Sequence, residues 1–472
     1  MKRPHFVKRA IPLLGLLCAA CSLAPTYHRP DVPSPDHFSD HNPFTQAQPA
    51  DTLAKGNWWE IYGDATLDRL ERQLGNNQDV KAALSRLQQA QSALQAQRAT
   101  LFPTVGVGAT VQEIGLSTNR PLYFKGFPKQ YRDNLLTADV AYEPDVFGRL
   151  SNEVEISRQQ MEASRSDLAA LQLSIQTELA VDYFALQAQQ RQQKILADLV
   201  DNEDQYLQMS KALYEGGAAP EASVAEADVV LQNARSQQQE AELQAQTLTH
   251  AIALLLGKPA TGFRLHTDNG EPQPWIGTLL PSRLLERRPD IASAERRMQA
   301  ANAAIGVAKS AYFPQFSLNA QGGYESGQLA NWISAPSELW ALGASALVTV
   351  FDAGQRAALT EQARQHYEET VANYRETVLN AYREVEDNLS AIRQLDLEHQ
   401  AQLQAFQSAS IAAKQADFDY QGGGGSYLGV VLVQTQVLQA EQQLTALQSR
   451  RMAASVLLVK ALGGGYGTAQ QK

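Results

Sequence analysis

The 472-residue chain is long enough for two or three ordinary domains, but its composition points elsewhere. Ala and Gln fill long stretches, aromatics make up only 7%, and Gly falls in clusters, a mix that makes long, close-packed helices. A formal net charge of −10 with no basic stripe argues against nucleic acid as a partner.

The N-terminus reads as an export signal. Lys2, Arg3, Lys8 and Arg9 form a basic region, and the apolar run Ala10 to Ala20 is too short to span a bilayer as a helix. It ends in Cys18-Ala19-Ala20-Cys21-Ser22, which resembles a bacterial lipoprotein signal with Cys21 as the lipidated first mature residue. Ser22 after that cysteine resembles the signal for passage to the outer membrane. Cys18 then leaves with the signal, so no disulfide staples the mature fold. No other run approaches the roughly 20 apolar residues of a transmembrane helix, so any membrane crossing falls to strands.

Ser22 to Asn57, rich in Pro, Asp and His, reads as an extended linker. Trp58-Trp59 and Leu67 to Leu74 open the folded part. Val80, Leu84, Leu87, Ala90 and Leu94 recur at helical steps, and Pro103 stops that helix. Strand patterning follows. Val105, Val107, Ala109 and Val111 alternate with small or polar residues. After a loop from about Ser117 to Arg132, so do Leu136, Ala138, Val140 and Tyr142. From about Leu150 to Tyr214 the chain runs without Pro or Gly, roughly 95 Å of helix. A glycine turn leads into a shorter returning helix, Ala222 to Leu256.

The chain then repeats itself. A helix from Glu286 to Phe313 precedes alternation at Phe316, Leu318, Ala320, Gly322 and Tyr324, and a fourth strand from Trp340 to Val350. A second long helix spans Gln355 to Tyr420, and a second return spans Tyr427 to Leu462. Pro103 pairs with Pro314, Phe147 with Phe351 and Gly216 with Gly422, at offsets of 211, 204 and 206 residues. One ordered duplication explains all three. Four strands cannot close a barrel in lipid, because open edges leave backbone groups unpaired. Two copies would supply eight strands and three would supply twelve; periodicity does not choose.

In order and spacing, several segments resemble one known family. They are Cys21-Ser22-Leu23-Ala24-Pro25 with Tyr27 and Arg29-Pro30; Trp58-Trp59 with Asp64 and Leu67; Ala99 to Pro103; and Tyr142-Glu143 with Asp145 and Phe147-Gly148-Arg149. Leu284 to Ile291 (L-L-E-R-R-P-D-I), Ala294-Glu295, Ala301-Asn302-Ala303, Ile305-Gly306, Phe313-Pro314 and Phe351-Asp352 with Gly354 complete the set. The chain resembles the TolC-like outer-membrane factors, specifically the lipoprotein branch of resistance-nodulation-division type pumps. The resemblance implies an α+β fold. Four strands per protomer would be closed by trimerisation into a 12-stranded membrane β-barrel, on a long α-helical barrel with a mixed equatorial belt. It also implies a homotrimer in outer-membrane lipid. That trimer would be the passive exit duct of a tripartite drug efflux pump, docking onto a periplasmic adaptor and an inner-membrane, proton-driven transporter. It would carry no enzymatic activity and no cofactor. The domain order expected is a signal peptide (1–20), a lipidated linker (21–57), a first repeat (58–257), an equatorial connection (258–285), a second repeat (286–462) and a tail (463–472).

The candidate site residues lie at the two hairpin turns. Gly216 and Gly217 permit the left-handed turn of the first tip, and Gly422, Gly423, Gly424 and Gly425 form the second. The resemblance implies adaptor docking at both. Relatives often carry an acidic residue where Gly425 stands. Asp417 or Asp419, with Tyr420, is therefore expected to constrict the pore. Arg287, Arg288, Pro289 and Asp290 suit a pinned helix start. Trp340 and Tyr324 suit an interfacial aromatic belt or packing between protomers. The eight His are scattered along the chain, and no G-x-S-x-G elbow occurs. Two other readings remain: a duct of the same architecture for protein secretion, and a periplasmic coiled-coil scaffold without a pore.

Overall fold

The computed structural model describes residues 22–32, 56–117, 119, 126, 128–267 and 288–464. The expected signal, Cys21, most of the linker, Leu284 to Arg287 and the tail beyond 464 lie outside the described residues.

After a short helix α1 (Ala65–Glu71), the duplication appears as two runs of the same elements. The first is α2 (Gln78–Ala99), β1 (Thr104–Gly115), β2 (Gln130–Tyr142), α3 (Arg149–Glu215) and α4 (Glu221–Leu255). The second is α5 (Pro289–Ser310), β3 (Gln315–Ser326), β4 (Glu338–Leu347), α6 (Gln355–Gln421) and α7 (Tyr427–Ala461). The matched helices are equal in length: 22 residues in α2 and α5, 67 in α3 and α6, and 35 in α4 and α7. A 67-residue helix is about 100 Å long.

The strands form one antiparallel sheet in the order β1-β2-β3-β4. Its register sorts the two faces. Val105 lies opposite Val140, which lies opposite Ala320 and then Leu342; Val107, Ala138, Gly322 and Trp340 form the next row. These two rows are apolar from edge to edge. On the other face Gln321 donates to Asp139 at 2.8 Å, Thr137 to Asp139 at 2.9 Å and Gln112 to Asp133 at 3.1 Å. Val107 is 77% exposed and Trp340 78%, so none of the described residues of a single chain covers these positions of the apolar face. No helix among the described residues is long and apolar enough to cross a membrane.

Two strand ends differ from expectation. β2 starts at Gln130, inside the expected loop, because Tyr131 and Arg132 pair with Ile114 and Glu113 of β1. β4 stops at Leu347 rather than Val350, because its partner strand begins at Gln315, after Pro314, which cannot donate to the ladder. The helix expected over Glu286 to Phe313 is described from Pro289 and ends at Ser310, followed by turns at Tyr312 and Phe313.

Contacts divide the chain into two units. The first holds the N-terminal segment to Pro30, Leu87–Ser164 and Ala294–Tyr374; the second holds Asp31–Arg86, Arg165–Ser293 and the chain from Arg375 on. In the first unit, carboxylates start the long helices. Asp145 accepts from the amides of Leu150 and Ser151 at 3.0 and 2.7 Å, and Asp352 accepts from those of Gly354 and Arg356 at 3.1 Å each. These capture orphan helix donors and fix the strand-to-helix turns. Phe147 stacks on Phe313 with ring centroids 4.6 Å apart.

The second unit has its core where Trp58, Tyr62, Leu67 and Leu70 meet Leu179, Tyr183 and Phe184 of α3, Ile252 of α4 and Val456 of α7. Asp64 caps α1 and accepts from Tyr183 Oη at 2.7 Å. Arg288 is buried. It bonds Asp290 and Glu384 at 2.7 Å each and the Ala461 carbonyl at 3.0 Å, so it pins the start of α5 to α6 and to the end of α7. The expected structural role of Arg288, Pro289 and Asp290 is thus seen; Arg287 lies outside the described residues.

Glu71 runs against the grain of this core. It is 3% exposed, and among the described residues neither carboxyl oxygen has a hydrogen-bond partner. Burial, reinforced by nearby Asp68, pushes its pKa from 4.5 up to about 9. Across that window the folded chain holds a proton that the unfolded chain has lost, so stability falls as pH rises. Replacing Glu71→Gln removes that dependence. The thermal midpoint of the purified protein should rise at about pH 8 and change little at about pH 4.5. An equal loss at both values would show that the carboxyl has a partner of its own.

Candidate functional site: the two hairpin tips

Each long helix ends in the same hydrogen-bond pattern. At the first tip Ala218 N donates to Leu213 O at 2.8 Å and Gly217 N to Tyr214 O at 2.9 Å. At the second, Gly424 N donates to Asp419 O at 2.8 Å and Gly423 N to Tyr420 O at 3.0 Å. Both are Schellman caps, which need one left-handed residue after the helix. Gly217 (φ 71°) and Gly423 (φ 76°) supply it. Gly216, Gly422, Gly424 and Gly425 have no positive φ, so the conformational demand falls on one glycine per tip. The returning helices start differently: Ser426 caps α7 through its hydroxyl, whereas α4 follows Pro220 without a side-chain cap.

The expected constriction residues sit in the last turn of α6, all exposed. Asp417 accepts from Gln421 Nε2 and Asp419 from Gln415 Nε2, each at 2.8 Å. At 100° per residue Asp417 and Asp419 point about 200° apart, while Tyr420 lies within about 60° of Asp417. The three therefore do not share one face: Asp417 pairs with Tyr420, and Asp419 turns to the hairpin. A side chain built on Gly425 would come 3.4 Å from Asp419 Cβ, so Asp419 stands beside the position where an acid was expected and not found. The Tyr420 ring packs on Tyr427 with centroids 5.3 Å apart.

Sequence reasoning missed a polar lock between α3 and α7, just above the tips. Tyr427 Oη donates to Gln205 Oε1. Asn202 Nδ2 donates to the Val431 carbonyl at 3.2 Å and to Thr435 Oγ1 at 3.0 Å, and that hydroxyl donates to Glu203 Oε1 at 2.7 Å. Asn202 and Glu203 are 6% and 2% exposed. The signal available was faint: Asn and Glu at adjacent positions of a 67-residue helix, with a partner more than 220 residues away. Among the described residues no group of His, Cys, Asp and Glu could hold a metal ion.

The profile of the outer membrane efflux protein family matches this chain twice, over residues 70–258 and 280–464, one match to each repeat. The chain belongs to the outer membrane efflux protein family. It is 29% identical over 471 residues to the pyoverdine export outer membrane protein OpmQ of Pseudomonas aeruginosa, covering 97% of this chain and 96% of OpmQ. It is also 29% identical to OprJ of the same organism over 475 residues, covering 99% and 97%. A crystal structure of CusC matches with a TM-score of 0.81 at 27% identity, covering 94% of this chain and all of that one. Like other members of the outer membrane efflux protein family, the protein is a trimeric outer-membrane channel with helices in the periplasm, the exit duct of an efflux system. Family members are channels rather than enzymes and work with adaptor and inner-membrane pump partners. The poreless scaffold is set aside, and of the two ducts the efflux one stands. Trimerisation answers the open sheet, since edge strands β1 and β4 find partners only in other protomers.

The tip geometry makes a contrast testable. A β-branched side chain at Gly217 or Gly423 should cost about 1–2 kcal/mol at the turn. Gly424→Ala should be nearly silent, since its Cβ would lie 3.7 Å from Asp419 O, an ordinary contact. Amide exchange at Ala218 and Gly424 should speed up about 5- to 30-fold in the Gly217→Val and Gly423→Val proteins respectively. Equal effects from Gly424→Ala would refute the assignment.

Proposed function

We propose that this channel is the passive exit duct of a tripartite pump for toxic small molecules, performing no chemistry itself. It is anchored by lipid at Cys21 and docks its adaptor at the two tips. Two copies of one repeat, joined through residues 258–285, present Gly216-Gly217 and Gly422 to Gly425 as paired seats. The observation that carries the reading is the shared cap: two turns 206 residues apart with the same backbone bonds give a partner's hairpins two equivalent places to sit.

Within that reading the resting channel is closed at its tips. The bonds from Gln205, Asn202 and Glu203 to Tyr427, Val431 and Thr435 tie the second hairpin to the first. Opening must break them, and Asn202 and Glu203 are polar groups that are costly to leave buried and unpaired. Asp417 with Tyr420, and Asp419 beside Gly425, supply charge and bulk at the mouth. Export draws its energy from the transporter, and the duct supplies the path.

The test is accumulation of dye and antibiotic in a deletion strain. Wild type should restore low accumulation, and a protein with Gly216-Gly217 replaced should not. No change in accumulation with a protein missing from the medium would point to secretion. Separately, Thr435→Val combined with Asn202→Ala should admit large antibiotics and raise single-channel conductance in bilayers. Asp417→Ala with Asp419→Ala should change cation selectivity. A conductance identical to wild type in the first case, or an unchanged selectivity in the second, sinks the corresponding role.

A further inference from the structure

The residues just after the expected cleavage point are held fast. Ser22 to Pro30 lie in the first unit and are gripped along their length. Ser22 Oγ donates to Asn152 Oδ1 at 2.9 Å, and Asn152 Nδ2 donates to the Gly148 carbonyl at 2.7 Å, at the turn where β2 gives way to α3. Asn302 Nδ2 of α5 donates to the Pro25 carbonyl at 2.8 Å. Between these points Ala24 lies against Gly306. A Cβ at Gly306 would come within 2.8 Å of Ala24 N, 2.9 Å of Ala24 Cβ and 2.6 Å of Asn152 Nδ2. Glycine is needed at that position for approach rather than for φ.

The far end is clamped by charge. Arg29 forks onto Glu295, with Nη2 at 3.0 and 2.9 Å from the two oxygens and Nε at 3.1 Å from Oε1. Tyr27 Oη adds a third donor at 3.1 Å. The Glu295 side chain is only 9% exposed. A carboxylate this buried needs its partner, because removing one member strands the other in low dielectric. A mere linker has no use for a two-pronged ion pair, a glycine keyhole and an amide lock within nine residues.

The partners come from both repeats: Asn152 from the first, and Glu295, Asn302 and Gly306 from the second. Asn152 is ten positions beyond the last residue of β2, so the segment begins at the foot of the sheet. We propose that Ser22 to Pro30 is an intramolecular strap. It stitches the two repeats together at the foot of the sheet and fixes there the starting point of anything attached ahead of Ser22. Glu295 and Gly306 are its positioning residues. Where that attachment is the lipid proposed for Cys21, its acyl chains start beside the barrel wall rather than from a slack leash; this last consequence alone rests on the lipid reading.

The test uses the full-length protein in outer-membrane vesicles, with a nitroxide on His28→Cys, an exposed strap position. The label should be restrained in the parent. In Glu295→Arg and in Gly306→Val the mobile-to-restrained ratio should rise about tenfold, as expected when a buried pair or its seat is lost. The exchange Arg29→Glu with Glu295→Arg should restore restraint, which a general folding defect at either site would not allow. Palmitate incorporation reads the lipid separately. Restraint that persists in Cys21→Ala supports a strap that stands on protein contacts alone. No palmitate with a restrained label removes only the lipid reading. A label already mobile in the parent, or equally restrained in Glu295→Arg and in Gly306→Val, overturns the strap.

Discussion

A four-stranded sheet that ends in two bare edges cannot rest in hydrocarbon. Each unpaired amide and carbonyl along β1 and β4 would cost several kcal/mol with no water to satisfy it. The rest of the architecture follows from that constraint. The strands have to be closed by other protomers, so the chain makes sense only as part of a ring. The apolar face, bare in one protomer, is then a lipid-facing wall. The opposite face, with Asp139, Gln321 and Asp133 bonded across strands, is fit for water. Helices that must line a ring are narrow and alike, which is why Ala and Gln dominate them and why each copy repeats the other's lengths.

Strand must pass to helix without leaving the new helix's donors unmet. Asp145 and Asp352 do this at the strand-to-helix turns of the two repeats. Farther along, Arg288 gathers α5, α6 and the end of α7 around a single guanidinium whose charge is met by two carboxylates. These are small motifs in the sequence, but each sits where an element changes direction. The family resemblance was carried by such joints, because a joint tolerates fewer residue types than a helix face does.

Much of the fold was legible for a physical reason: period-two alternation and Pro-free helical runs are local signals. What was illegible depended on partners far away. Tyr131 and Arg132 look like loop residues until β1 recruits them into the ladder. Glu71 looks like a surface acid at the end of a short helix, and only packing shows it buried without a hydrogen-bond partner among the described residues. The Asn202, Glu203 and Thr435 set needs α3 and α7 side by side before it exists at all. For the tips, sequence located the turns but treated their six glycines alike, whereas the φ angles single out Gly217 and Gly423. Asp417 and Asp419 lie within one turn in the sequence, and helical geometry points them to different sides.

The two tips share one backbone while differing in what they display. Leu213 and Asp419 occupy the same place in the cap, each offering its carbonyl to the turn and leaving its side chain out of the bonding. The cap therefore does not constrain the identity of that residue. Such a position can change its charge without disturbing the turn beneath it. The duplicated chain thus holds two copies of one hinge with independently adjustable surfaces, and selection can retune one while the other preserves the fit.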